Sequence, residues 1–236
     1  MNRIGLIGAM PVEVAPILER LENARTECAG PVCFHTGTLF GKNAVVLCCG
    51  VGKVNAAMGA QAMIQKYAPE LIIHMGVGGG LVPHLKIGDV VAVKACVQYD
   101  VDTSAVGDPV GLVSTVNRIF FECDSAVMRG ISEAVTNMRG RDFGVYEGIA
   151  ATGDQFLTHR RDKEWIVDTF GVAVCDQESC AIAQVCFVHR IPVAVVRAVS
   201  DVTDGAHGEE YRDGLSAAAA NAGRSVLEYL EKCRDK

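Results

Sequence analysis

The stretch "IPVAVVRAVSDVTDG" (191–205) decides how this chain is read. From Ile191 to Val199 it is apolar except for one arginine, Arg197, and it then meets two acids, Asp201 and Asp204. A short apolar run of this kind reads as a strand buried on both faces, as in a parallel sheet covered by helices. An acid at its end has two readings. Aspartate favours turns and helix N-caps, and a carboxylate at the rim of a sheet can also be a catalytic acid.

The same grammar repeats outward from this strand. "RIGLIGA" (3–9), "NAVVLCCG" (43–50), "ELIIHMG" (70–76), "DVVAVKACVQY" (89–99), "GVYEGIAAT" (144–152) and "VAVCD" (172–176) read as strands. Helical spacing covers 11–23, 54–68, 124–138, 179–189 and 210–232, while 100–123 is irregular. Apolar strands alternating with helices predict an α/β fold. We expect a three-layer sandwich with a mixed, largely parallel central sheet flanked by helices. With no linker or repeat visible, residues 1–236 are read as one domain.

Bulk properties narrow the function. The formal net charge is −6 with lysines and arginines scattered, which argues against a nucleic-acid surface. No apolar stretch reaches the ~18 residues needed to span a bilayer, and Pro11 and Glu13 interrupt any signal-peptide pattern. The ten cysteines form no CxxC pair and sit mostly in apolar runs. They read as small buried hydrophobes in a reducing cytoplasm, with a disulfide framework as the minor alternative. The six histidines show no metal-ligand spacing.

In such sheets ligands bind outside the carboxyl ends of the strands. Those ends carry Met10 and Glu13, "GVGK" (50–53), "GVGGG" (76–80), "TGDQF" (152–156), Gln177 and Glu178, and Ser200 with Asp201. Each has a plain structural reading. Glu13 in a first helical turn meets the macrodipole favourably. "GVGKVN" places Asn55 where a dinucleotide loop needs its third glycine, and it lacks the upstream glycine of a phosphate loop. Adjacent glycines mark either a tight turn or close backbone approach. Glu178 lies in almost wholly apolar surroundings, where a carboxylate is costly without partners. Asp154 and Asp204 support a site or close turns. The coincidence of these features at one rim favours a small-molecule site.

At these residues the chain resembles the methylthioadenosine/S-adenosylhomocysteine nucleosidases, of the nucleoside phosphorylase fold family. "IGAMPVEV", "GVGKVNAA", "GVGGGL…LKIGDVV", "TGDQFL", "DQESCAIAQVC" and "RAVSDV" follow that family's order from residue 3 to about 230. The resemblance implies hydrolysis of an N-glycosidic bond in a 5′-substituted adenosine. Asp201 would protonate N7 of the leaving purine and Glu13 would activate water. Glu178 would bind the ribose hydroxyls, and Arg197 would help hold the water and ribose side. Phe156 would stack on the base, with the backbone at Leu157 reading its edge. Met10, Val51 and Tyr211 would line the ribose and the 5′ end, with Val77, Gly78, Gln177 and Ser200 beside them. The family is dimeric, so residues 100–115 would close the pocket of a second copy. Such chemistry needs an acid on the leaving group and a base on the water, and burial is the kind of setting that favours a protonated carboxyl. Both steps are proton transfers and electrostatics, so no metal or organic cofactor is expected.

The chain also departs from the family pattern. Gln177 stands where a methionine is usual, and Val77 where a serine is. Val106 and Asp108 stand in a segment that usually offers aromatics. These departures point to a more polar 5′ substituent than methylthio. A phosphate-dependent phosphorylase and a non-catalytic nucleoside-binding protein are the alternatives on the same scaffold.

Overall fold

The computed structural model describes residues 3–30, 32–202 and 207–233. In chain order the elements are β1 (Arg3–Gly8), α1 (Pro11–Leu18), β2 (Glu22–Ala29), β3 (Val32–Leu39), β4 (Lys42–Cys48), α2 (Lys53–Tyr67), β5 (Leu71–Gly80) and β6 (Val90–Gln98). There follow β7 (Phe120–Glu122), α3 (Ser125–Thr136), β8 (Val145–Thr152), α4 (Arg160–Phe170), β9 (Val174–Asp176), α5 (Ser179–His189), β10 (Val193–Asp201) and α6 (His207–Lys232).

All ten strands join one mixed sheet in the order β10-β6-β8-β9-β5-β1-β4-β3-β2, with β7 on β6. β10 also pairs with β5. The strands β5, β10, β6, β8 and β9 therefore form a closed ring, from which β1, β4, β3 and β2 extend. The parallel pairs β1–β4, β1–β5, β5–β10, β6–β8 and β8–β9 form its centre. α1, α3 and α6 pack together on one side, and α2 packs on α5 on the other. β5 and β10 are buried at every position, which is why their sequences run apolar instead of alternating. No described helix is long and apolar enough to cross a membrane.

Several expectations change. The helix predicted over 11–23 stops at Leu18. The hairpin β2–β3 follows it, unrecognised because "ENARTECA" is polar and largely exposed. β7 and α4 also went unpredicted. "GVGGG" is not a loop: β5 runs on through Gly80, and none of its glycines has positive φ. These glycines supply room, not conformational freedom. By contrast Gly50 and Gly52 in "GVGK" have φ of 90° and 99°, which an L side chain rarely adopts. The hairpin register sets Cys28 opposite Cys33, and the two form a disulfide. That overturns an all-thiol reading, although the other eight cysteines are free.

Candidate active site

One cavity opens at the carboxyl ends of β1, β5, β9 and β10. Met10, Glu13, Val51, Val77, Gly78, Phe156, Leu157, Gln177, Glu178, Ser200, Asp201 and Tyr211 all line it, with Ala9, Gly79, Gln155, Cys175 and Asp176. Twelve of the thirteen residues singled out by sequence thus meet in one place.

Glu13 is the third residue of α1, and Pro11 pre-sets the first helical φ. Its Oε2 accepts from the backbone N–H groups of Ala9 at 2.7 Å and Met10 at 2.9 Å, and its Oε1 from Val77 at 2.8 Å. The carboxylate therefore does more than meet a helix dipole: it ties the end of β1 to β5. A Cβ on Gly76 would collide with Glu13 Oε1 and with Arg197 Nη1, so only glycine fits there.

Glu178 precedes α5. Its Oε1 accepts from the Gly52 N–H at 2.9 Å, which explains the left-handed turn at "GVGK". Its Oε2 lies 3.5 Å from Arg197 Nη2. Burial pushes the Glu178 pKa up to about 7, against the downward pull of Arg197. Glu178 is thus held near its midpoint at neutral pH, and hydroxyl donors from a ligand would favour the ionised form.

Asp201 ends β10 and is 4% exposed. Ser200 Oγ donates to its Oδ1 at 2.8 Å. The bare faces of Gly78 and Gly79 make room for Cys175 and for the Asp201 carboxylate. Burial raises the Cys175 thiol to about 12, so it serves as an apolar wall and not as a nucleophile. At the mouth, Phe156 meets Tyr211 edge to face, their centroids 5.5 Å apart. The Tyr211 hydroxyl lies 3.6 Å from Met10 Sδ.

Arg197 is the exception. It is fully buried and does not line the cavity. It lies behind Glu13 and Glu178, with Nε donating to Asp176 Oδ2 at 2.7 Å and to Ser179 Oγ at 3.0 Å. Burial works against its charge, but Asp176, Glu178 and Glu13 together raise its pKa above the ordinary value. Asp176 is itself pushed up by burial, yet Arg197 and its hydrogen bonds outweigh this and hold it low. Asp154 accepts from the Lys53 N–H at 2.9 Å, and Lys53 Nζ meets Asp100 at 2.7 Å, so the two loops are pinned beside the cavity. Asp204 lies outside the described residues. Val106 and Asp108 do not line the cavity, and Asp108 accepts from Thr103. No group of three or more metal-ligating side chains occurs among the described residues.

A model of the phosphorylase superfamily matches residues 3–231. A 5′-methylthioadenosine/S-adenosylhomocysteine nucleosidase of Shewanella sediminis is 33% identical over 231 residues, covering 98% of this chain and 99% of its own. The chain belongs to this nucleosidase family. It is by that membership an enzyme of the N-glycosyl hydrolase type. The Neisseria meningitidis nucleosidase in complex with methylthio-immucillin-A is similar in structure, with a TM-score of 0.94 and 31% identity over 98% of this chain and all of that one. A futalosine hydrolase mutant of Helicobacter pylori is similar too, with a TM-score of 0.93 and 28% identity over 98% of this chain and all of that one.

Sequence reasoning missed four residues that line this cavity or stand behind it. Neither Asp176 nor Ser179 was singled out, although Asp176 accepts the Glu178 and Ser179 N–H groups. Cys175 read as core. His74 carried no motif. Its only signal was a polar ring inside an otherwise apolar strand.

Proposed function

We propose that this enzyme hydrolyses the N-glycosidic bond of a 5′-substituted adenosine, releasing adenine. One observation supports the reading above the rest: Glu13, Glu178 and Asp201, drawn from three distant segments, share one cavity with an aromatic mouth. Asp201, beside Phe156, Leu157 and Cys175, donates a proton to N7 of the leaving base. Glu13, fixed by three backbone donors, takes the proton of the attacking water. Glu178 accepts from the ribose hydroxyls. Bond breaking leaves positive charge on the sugar and negative charge on the base, so acid and base must act at separate places. Along β5, Gly79 makes room for Asp201 and Gly76 for Glu13, about 10 Å of strand apart.

Water is favoured over phosphate as the nucleophile. Among the described residues no lysine or arginine lines the cavity, and Val77 offers no hydroxyl. Gln177 lines the cavity and suits a polar 5′ group such as that of S-adenosylhomocysteine. The protein named futalosine hydrolase makes a nucleoside of that type a second candidate. We also assign a homodimer in the cytoplasm, with the role of removing by-product nucleosides for methionine salvage. Val106 is 81% exposed and Val54 69%, consistent with residues 100–115 packing on a second copy.

The test is base release from methylthioadenosine, S-adenosylhomocysteine, 5′-deoxyadenosine, adenosine, inosine and futalosine, followed by chromatography with and without phosphate. Adenine from the 5′-substituted adenosines without phosphate is the expected result. Turnover only with phosphate, or none on the panel, overturns the reading. Light scattering in solution checks the dimer, which a monomeric mass excludes.

A further inference from the structure

Arg197 is gripped on two of its three nitrogens, and one grip comes from a histidine that the chemistry above leaves unused. His74 lies on β5 and is fully buried. Its Nδ1 is 2.9 Å from the Ile7 carbonyl oxygen, and its Nε2 meets Arg197 Nη2. A carbonyl only accepts and a guanidinium only donates. The proton must therefore sit on Nδ1, and Nε2 must present a lone pair. Arg197 Nε is held by Asp176 and Ser179. Arg197 Nη1 is buried with no hydrogen-bond partner among the described residues, and it adjoins the place on Gly76 where a Cβ would also strike Glu13 Oε1.

We propose that His74 is a positioning residue: as a neutral acceptor on Nη2, working with Asp176 on Nε, it turns the free Nη1 of Arg197 toward Glu13. This rests on the reading of Glu13 as the group that activates water. A carboxylate in place of His74 would fix the guanidinium equally well but would cancel charge that is wanted beside Glu13. Neutral imidazole holds it without that cost. The charged groups acting on His74 are Arg197 and Asp176; burial first and Arg197 second press its pKa down to about 3, with Asp176 opposing. The ring accordingly stays uncharged at working pH.

Two variants separate positioning from packing. His74→Leu fills the space but removes the acceptor, whereas His74→Gln can place an amide oxygen near the Nε2 position. The expected result is a fall in kcat of about 10- to 100-fold for His74→Leu, the usual cost of a misplaced group. KM should stay within about two-fold, and His74→Gln should restore most of kcat. Wild-type kcat in His74→Leu, or equal losses in both variants, overturns the proposal. Should His74→Leu fail to fold, nitrogen NMR of the wild-type imidazole still decides. A bare Nε2 and protonated Nδ1, unchanged between about pH 5 and 9, is expected; the other tautomer, or a titration in that range, overturns it. A wild type inert on every nucleoside counts against the proposed function alone, because the NMR reading needs no substrate.

Discussion

Glu13 and Asp201 are buried carboxylates on one cavity, but the chain holds them in opposite ways. Three backbone N–H groups fix Glu13 from both oxygens. Among the described residues, a single donor, the Ser200 hydroxyl, reaches Asp201. Backbone donors cannot rotate away, so Glu13 is built into the scaffold where β1, α1 and β5 meet. A hydroxyl can rotate, so the Asp201 carboxylate is held less rigidly than that of Glu13. The difference teaches that one carboxylate is set by backbone geometry and the other by a side chain at a strand end. Glu178 stands between them, with one backbone donor and an arginine 3.5 Å away.

The largest effect expected from breaking this contrast is at Asp201. Asp201→Asn keeps shape and removes the transferable proton, and kcat for adenine release should fall about 10³-fold. Retention of full activity would falsify its role as the acid. Glu13→Gln should lose about 10²-fold or more in kcat. It should also destabilise the fold by about 1–3 kcal/mol, since an amide cannot accept from all three N–H groups. Asp201→Asn should leave stability nearly unchanged, and denaturant melts of the two variants compare them directly.

Gly76→Ala probes the shared space. Its Cβ would push Glu13 and Arg197 apart, and a loss of about 10²-fold in kcat is expected from displaced groups. Gly79→Ala should spare Glu13 and act on the Asp201 side.

Glu178 gives a pH signature. Its folded pKa of about 7 exceeds the ordinary 4.5, so the folded state holds the proton more tightly than the unfolded one. Relative to Glu178→Gln, the wild type should lose on the order of 2–3 kcal/mol of stability as pH rises from about 4.5 to about 7, then level off. Urea melts across that range measure it, and a flat difference would remove the burial argument. If ionised Glu178 accepts from the ribose, KM should rise as pH falls below about 7. The smallest effect is expected at Lys53→Met, which breaks the partly exposed pair with Asp100. A loss below about 1 kcal/mol with a modest rise in KM would show that loop pinning is a minor contribution.

Much of this was legible in the chain itself. β10 was readable from its apolar run, because a strand covered on both faces has no polar face to alternate with. α5 and α2 were readable from helical spacing. The hairpin β2–β3 was not, because an exposed hairpin has little core to announce it and its charges imitate a solvated helix. "GVGGG" misled for a related reason. Glycine is the signature of both a turn and a crowded strand, and only the positions of Arg197, Glu13, Cys175 and Asp201 tell the two apart.

By itself the sequence determined the layered α/β class, the family motifs and the rim on which the carboxylates gather, because burial periodicity and local spacing are properties of neighbours in the chain. The tertiary structure alone decided that β10 pairs with both β5 and β6 to close the ring, that Arg197 stands behind the cavity and not in it, and that His74 grips it. Those facts depend on partners such as Arg197 and His74, 123 positions apart, and Gly52 and Glu178, 126 apart. No local pattern encodes such a pairing; it exists only when folding brings distant donors and acceptors into a dry interior where each must find the other.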